Sequence, residues 1–342
     1  MTLPSPPVDH TPAHVPRDIE RALAAFGFRL EAPAEHVDDS VLNDNYRVLT
    51  NDGPRFLRFI RQDRTPERVL LEHRVTQHAA SAGIPVPLPQ VVGDHPFIRL
   101  GGDLVQLYPW VEGRNGAGTE SDAFAMGEVH ARLLAALAPF TDPELHRASS
   151  GDAWDTERSI QVLSRVDDLI RYYPSPGADQ LRVQEGLRFQ LSRLESPDAR
   201  PASDFADLPI QACHGDYHNR NVIFGRESAI AAVVDWEVAN VLPPVYEILR
   251  ALSFSGYLDP PLLQAYLRGY AAHGRLTSTE CELGVEMWWQ ARLHANWIYH
   301  KRFIQGDHRV DRFLDEEAAL LRRFADPAYR EWLADELATA AA

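Results

Sequence analysis

The sequence predicts an α+β protein of two lobes: a small β-sheet lobe with one main helix, then a larger, mainly helical lobe. Three observations predict it. Two β-rich runs, residues 46–50 and 55–60, flank Asn51-Asp52-Gly53-Pro54; Asn and Gly tolerate the positive φ of a tight turn, so this reads as a hairpin. A second strand pair, residues 97–100 and 104–108, is joined by Gly101-Gly102-Asp103. After Pro109 the pattern changes to helical periodicity, at residues 121–137, 157–172, 180–194 and in long stretches beyond Pro260. Strands first and helices later indicate segregated α+β layers rather than alternating βαβ units.

In chain order, residues 1–17 are proline-rich and read as a flexible leader. A short amphipathic helix is expected over 19–26. Between the hairpins, Thr65-Pro66-Glu67 opens a helix: Thr65 can cap, Pro66 suits the first turn and Glu67 favours the positive helix end. It should stop at Gly83, with Pro85 and Pro87 preventing its resumption. The expected domains are therefore a leader (1–17), a nucleotide-binding lobe (18–108) and a catalytic, substrate-binding helical lobe (109–342).

The chain has 342 residues, with 34 Lys and Arg against 49 Asp and Glu, a formal charge of −15. So acidic a chain is a poor candidate for non-specific nucleic-acid or anionic-membrane binding, which needs a basic face. The beginning has neither a basic segment nor an apolar run, and no stretch approaches the ~18 apolar residues of a membrane helix. Two cysteines, Cys213 and Cys281, are too few for a disulfide framework. A cytoplasmic location is the expectation. Lys301 is the only lysine, so any site that ordinarily employs lysine must use arginine or do without.

The chemistry concentrates in Cys213-His214-Gly215-Asp216-Tyr217-His218-Asn219-Arg220-Asn221 and, downstream, Val233-Val234-Asp235-Trp236-Glu237. Short apolar runs at 222–224 and 230–234 flank Gly225-Arg226-Glu227-Ser228 and read as a hairpin. Asn221 begins the first strand and Asp235 follows the second, so antiparallel pairing brings the two together beside Asp216. Oxygen ligands of this kind suit Mg²⁺, which takes one or two carboxylates plus phosphate oxygens and waters. His214 and His218 are four apart, as in a zinc pair, but that spacing serves zinc only on a helix, and Gly215-Asp216 indicates a loop.

His214-Gly215-Asp216 with Asn221 resembles the H-x-D-x-x-x-x-N catalytic loop of kinases, and Asp235 resembles their metal-binding aspartate. HGD and DWE, rather than HRD and DFG, are similar to the aminoglycoside phosphotransferase superfamily. That group includes choline, homoserine and methylthioribose kinases and a bacterial stress-response protein kinase. The resemblance covers roughly residues 25–310 and is specific around 211–250.

It implies a bilobal protein-kinase-like fold, ATP and Mg²⁺ as cofactors, and transfer of the γ-phosphate to a hydroxyl of a small molecule (amino alcohol, amino acid, sugar or aminoglycoside-like). Asp216 would accept or orient the hydroxyl proton; Asn221 and Asp235 would hold magnesium. His214 would be structural and Glu247 would brace the loop.

In the nucleotide lobe, Arg58 stands where the family's strand lysine is expected, with Glu72 on the adjacent helix. The loop over the phosphates would be Ser40-Val41-Leu42-Asn43-Asp44-Asn45, which has no glycine. Adenine would meet the backbone of Gln106 to Tyr108. For the acceptor, the aromatic stretch 288–299 offers Trp289, Arg292, His294 and Asn296, although core packing is the plainer reading of such a stripe.

Two alternatives accompany this reading: a Ser/Thr protein kinase of the stress-response type, and a catalytically silent nucleotide-binding scaffold, which Arg58 and the glycine-free loop would suit. The sequence leaves the oligomeric state open. No G-x-S-x-G or H-E-x-x-H pattern supports a hydrolase.

Overall fold

The computed structural model describes residues 16–37, 43–60, 64–149, 154–172 and 177–341. Most of the expected leader, and Ser40, Val41 and Leu42 of the expected phosphate loop, lie outside the described residues. The first lobe comprises α1 (Pro16–Ala25), β1 (Glu35–His36), β2 (Asp44–Thr50), β3 (Gly53–Ile60), α2 (Pro66–Ser81), β4 (Ile98–Leu100) and β5 (Asp103–Pro109). Helix α1 thus begins two residues inside the segment read as leader. The strands form one antiparallel sheet in the order β1-β2-β3-β5-β4. Thr50 pairs with Gly53 and Leu49 with Pro54, so the β2–β3 turn is Asn51-Asp52 alone, tighter than the four-residue turn expected.

Period-two alternation sorts the two faces of this sheet. Tyr46, Leu57 and Leu107 stand in register across three strands, and Phe59 pairs with Val105. Together with Val48 they bury against Ile19, Ala22 and Leu23 of α1. Arg58 pairs with Gln106 and Phe56 with Tyr108 on the opposite face. Arg58 is only 9% exposed, so it is not a solvent-facing strand residue.

Helix α2 forms as its caps dictate, with the Thr65 hydroxyl accepting from the Arg68 N–H. Its Leu71, Val75 and Ala79 belong to the core of the second lobe, and Arg74 reaches Asp142 at 2.8 Å. One helix is therefore shared between the lobes.

The second lobe contains α3 (Glu120–Leu137), α4 (Pro143–Ser149), α5 (Thr156–Arg171), α6 (Ala178–Leu194), strands β6 (Gln211–Cys213), β7 (Val222–Phe224), β8 (Ile230–Val233) and β9 (Asn240–Leu242), then α7 (Pro244–Phe254), α8 (Pro260–Ala271), α9 (Ser278–His294), α10 (Trp297–Tyr299), α11 (Leu314–Phe324) and α12 (Pro327–Ala341). Helices α3 and α8 cross at two glycines. A Cβ on Gly127 would lie 1.9 Å from the Tyr266 carbonyl oxygen, and one on Gly269 would lie 2.1 Å from that of Phe124. Contact this close between backbones leaves no room for a methyl group. β7 pairs with β8 as expected. The β6–β9 pair is too short to show as a pattern in sequence. No described helix is long and apolar enough to cross a membrane.

Candidate active site

The loop between β6 and β7 is held from beneath by α7. Gly215 takes φ +83, and a Cβ there would sit 2.1 Å from the Val238 carbonyl oxygen, so glycine is required by both conformation and space. Its N–H donates to the buried Glu247 carboxylate. Glu247 in turn meets His130 Nε2 at 3.2 Å, and His130 bonds the Tyr266 hydroxyl. Burial opposes the charge on Glu247, but the His130 hydrogen bond and the Gly215 N–H help to overcome it and hold its carboxyl below the usual value. His214 is fully buried with Nε2 3.0 Å from the Val234 carbonyl, and burial lowers its pKa to about 4. Its neutral ring is a structural part of the loop.

Asp216 has both carboxylate oxygens engaged. Arg250, from α7, donates to Oδ1 through Nε at 2.9 Å and Nη2 at 2.6 Å. His218 Nε2 lies 3.3 Å from Oδ2. His218 Nδ1 accepts from the Arg220 N–H, which leaves Nε2 facing Asp216. Asn221 Nδ2 donates to Oδ2 at 3.1 Å and to the Asp216 carbonyl at 2.9 Å. Burial disfavours the ionised form, yet Arg250 and His218 outweigh it and hold Asp216 well below the usual carboxylate range.

The β7–β8 hairpin sets Asp235 beside this loop. Val222 pairs with Val233 and the Val234 N–H donates to the Asn221 carbonyl at 2.9 Å. With Asn221 Nδ2 spent on Asp216, its Oδ1 is left as an acceptor. Asp235 adopts φ +63, uncommon for a non-glycine residue, and turns a carboxylate that is 44% exposed into the cleft. The linker after β5 is stapled to the same hairpin: Arg114 exchanges both backbone hydrogen bonds with Phe224, and its guanidinium grips buried Asp122 at 2.7 and 2.8 Å.

Across the cleft, Arg58 lies 3.8 Å from Asp235, 3.6 Å from Glu237 and 4.0 Å from Glu72. No one of these is a hydrogen-bond distance. Burial pushes Glu72 up to about 7 despite Arg58, so three carboxylates share too little positive charge. Glu237, whose burial is outweighed by Arg58 and Arg64, is held below its usual value. It accepts from Asn43 Nδ2 and from Arg64 Nη2 at 2.9 Å, while Arg68 donates to the Glu237 and Ala239 carbonyls. The first lobe thereby grips the segment following Asp235. The cleft between these walls measures about 460 Å³; Phe56, Tyr108, Trp110 and Ile223 line its apolar part, and Arg58 and Asp235 its polar part.

A family model described as the phosphotransferase enzyme family (APH) matches residues 34–279. This chain belongs to that phosphotransferase family. Its fold is shared with spectinomycin phosphotransferase APH(9)-Ia, solved with ADP and spectinomycin, at TM-score 0.65 and 14% identity over 94% of this chain and 98% of that one. It is also similar to a choline/ethanolamine kinase family protein from Mesorhizobium loti, at TM-score 0.55 and 16% identity over 91% and 94%. A microcompartment-associated aminopropanol kinase aligns at TM-score 0.58 and 17% identity over 90% and 96%. No curated protein matches the chain.

In this phosphotransferase the structure brings together Asp216, Asn221, Asp235, Arg58, Glu72, Asn43 and, through its ring, Tyr108. It places other expected residues elsewhere. Gln106 is 2% exposed and accepts from the Tyr108 hydroxyl at 2.9 Å. Its backbone lies in the β3–β5 ladder, and the Leu107 carbonyl accepts from the Gln90 N–H. The strand runs on to Pro109, so the linker proper starts at Trp110.

The aromatic stretch is likewise engaged in packing among the described residues. Helix α9 ends at His294, so Trp297 is not on its face. Trp289 is buried beneath Arg330. Arg292 pairs with Glu317 at 3.2 Å and stacks on Trp288. His294 bonds Thr156 and the Gln290 carbonyl, and Asn296 bonds Ser159. These side chains tie α9 to α5, α11 and α12, and core packing prevails.

Sequence reasoning missed Arg250, His130 and the Glu237–Arg64 pair. Only Arg250 left a signal, lying one turn after Glu247 on the same face of a helix.

Proposed function

We propose that this phosphotransferase uses ATP and Mg²⁺ and moves the γ-phosphate to a hydroxyl of a small molecule. The observation that carries this reading is the convergence of Asp216, Asn221 and Asp235 on one side of the cleft with Arg58 on the other. Two buried donors that line the cleft, Arg58 Nε and Trp110 Nε1, have no hydrogen-bond partner among the described residues, as expected where a polar ligand completes the site. The apolar part has the size and character of a base-binding pocket, and the fold is one for which an ADP complex is known.

The residues present fit a magnesium ion. Asn221 Oδ1 and the Asp235 carboxylate are hard oxygen donors, and the excess of carboxylates around Arg58 asks for further positive charge. Among the described residues no three His, Cys, Asp or Glu side chains cluster as a metal cage, so the set suits an ion that keeps waters and phosphate oxygens. Magnesium, when bound, supplies charge neutralisation of the phosphates.

The chain's own groups do the rest. Arg58 grips phosphate oxygens with a planar, permanently charged fork. Asp216 offers a carboxylate oxygen to the acceptor hydroxyl, aligning it for in-line attack and receiving its proton as transfer proceeds. Positioning and charge stabilisation supply most of the acceleration. Amino alcohols and aminoglycoside-like molecules head the candidate acceptors, because the structures sharing this fold include an aminopropanol kinase and spectinomycin phosphotransferase.

The test is ADP release from Mg·ATP over homoserine, choline, ethanolamine, aminopropanol, methylthioribose, hexosamines, aminoglycosides and a generic protein, with Asp216→Asn as control. Turnover with one small acceptor, lost in the variant, supports the reading. Turnover with the protein alone makes the chain a protein kinase. Failure of Mg·ATP to raise the melting temperature, with no turnover, makes it a silent scaffold that does not bind this nucleotide.

A further inference from the structure

We infer that Arg250 is a positioning residue of the transfer reaction: its guanidinium fixes the carboxylate plane of Asp216, so that Oδ2 rather than Oδ1 is presented to the acceptor hydroxyl. This rests on the function proposed above for Asp216. Helix α7 grips two consecutive residues of the loop, with Glu247 holding the Gly215 backbone and Arg250, one turn later, holding the Asp216 side chain. Both Arg250 bonds, from Nε at 2.9 Å and Nη2 at 2.6 Å, go to the same oxygen, Oδ1. Two donors on Oδ1 leave the carboxylate little freedom to rotate about χ2. The opposite oxygen meets only the longer contacts from Asn221 at 3.1 Å and His218 at 3.3 Å, so it is the one that can exchange a partner for a hydroxyl.

The guanidinium is itself held. It lies 5.0 Å over the ring of Phe254, one turn further along α7, and that ring packs edge-on against Trp288. Asp216 is the polar partner of Arg250 among the described residues, and both side chains are about a quarter exposed rather than sunk in the core. An arginine whose polar partner is the reacting carboxylate, and whose orientation is set by an aromatic ring, has the geometry of a support for that carboxylate.

The test is steady-state turnover and Mg·ADP binding for Arg250→Gln, Arg250→Lys, Asp216→Asn and the double variant Asp216→Asn/Arg250→Gln. The acceptor is the one found by the panel, or water if ATP hydrolysis is the measurable reaction. Misplacing a reacting group by about 1 Å costs on the order of 10²-fold, so Arg250→Gln should lose about that in kcat, with KM for ATP and Mg·ADP affinity within about two-fold of wild type. Arg250→Lys should recover only part of it, because an ammonium group cannot set two N–H donors in Arg250's fixed geometry. With Asp216 already replaced, Arg250→Gln should add nothing further.

An unchanged kcat in folded Arg250→Gln, or losses that multiply in the double variant, would overturn the inference while leaving the proposed function intact. Wild-type protein that neither turns over nor binds Mg·ADP would overturn both. Should Arg250→Gln fail to fold, Arg250→Lys and its double with Asp216→Asn carry the same comparison.

Discussion

The two walls of the cleft are built in opposite ways. On the catalytic-loop side each oxygen of Asp216 has donors between 2.6 and 3.3 Å, from Arg250, Asn221 and His218. On the nucleotide side Arg58 faces three carboxylates at 3.6 to 4.0 Å and makes a hydrogen bond to none of them. The first wall is complete in its own bonds and is suited to hold geometry; the second carries unbalanced charge and is suited to receive a charged ligand. Preorganisation and unspent binding capacity are thus separated across a few ångströms, which is what a reaction needing a fixed acceptor and a tightly gripped phosphate requires.

The contrast can be broken from either side. Asp216→Asn removes the carboxylate but spares the nucleotide wall, so kcat should fall by about 10²- to 10⁴-fold while calorimetric affinity for Mg·ADP stays unchanged. A comparable loss of affinity would show that the walls are not separable.

The second effect is in stability. Glu72 has a folded pKa of about 7 against 4.5 when free, so the folded state binds its proton more tightly. Its contribution is fully present below pH 4.5 and is lost as pH rises through 7. Between those limits nucleotide-free wild type should lose about 3 kcal/mol relative to Glu72→Gln, read from urea unfolding at pH 4.5 and 7.5. Parallel curves would mean that Arg58 neutralises Glu72 fully.

Arg58→Met should have the reverse signature of Asp216→Asn, weakening Mg·ATP binding by about 10-fold, as loss of one charged hydrogen-bonding partner does, with a smaller change in kcat. The smallest effect is expected at Asn296→Ala, which should move KM for the acceptor by less than about two-fold, because its amide is spent on Ser159. A large KM change there would return the α9 region to the acceptor site.

Much of the fold and half of the site are legible in the order of residues. Thr65, Pro66 and Gly83 mark the ends of α2 because capping is a local event within one turn of chain. The face of the sheet that carries Arg58 follows from period two once the hairpin register is set. His214, Asp216, Asn221 and Asp235 come together because a single hairpin joins them. The aromatic stretch misleads because spacing cannot reveal that the helix breaks after His294, nor that Arg292 has Glu317 as a buried partner.

By itself the sequence determined what depends on neighbours along the chain: caps, turns, strand faces, and the loop and hairpin that assemble the oxygens of Asp216, Asn221 and Asp235. Tertiary structure alone decided which charges meet. Arg250 reaches Asp216 from 34 residues away, and Arg64 reaches Glu237 from 173. Which helix face packs beneath a loop depends on the burial of the whole lobe, since hydrophobic packing is non-directional and does not name its partners. A guanidinium finds its carboxylate only after that packing has brought the two within reach.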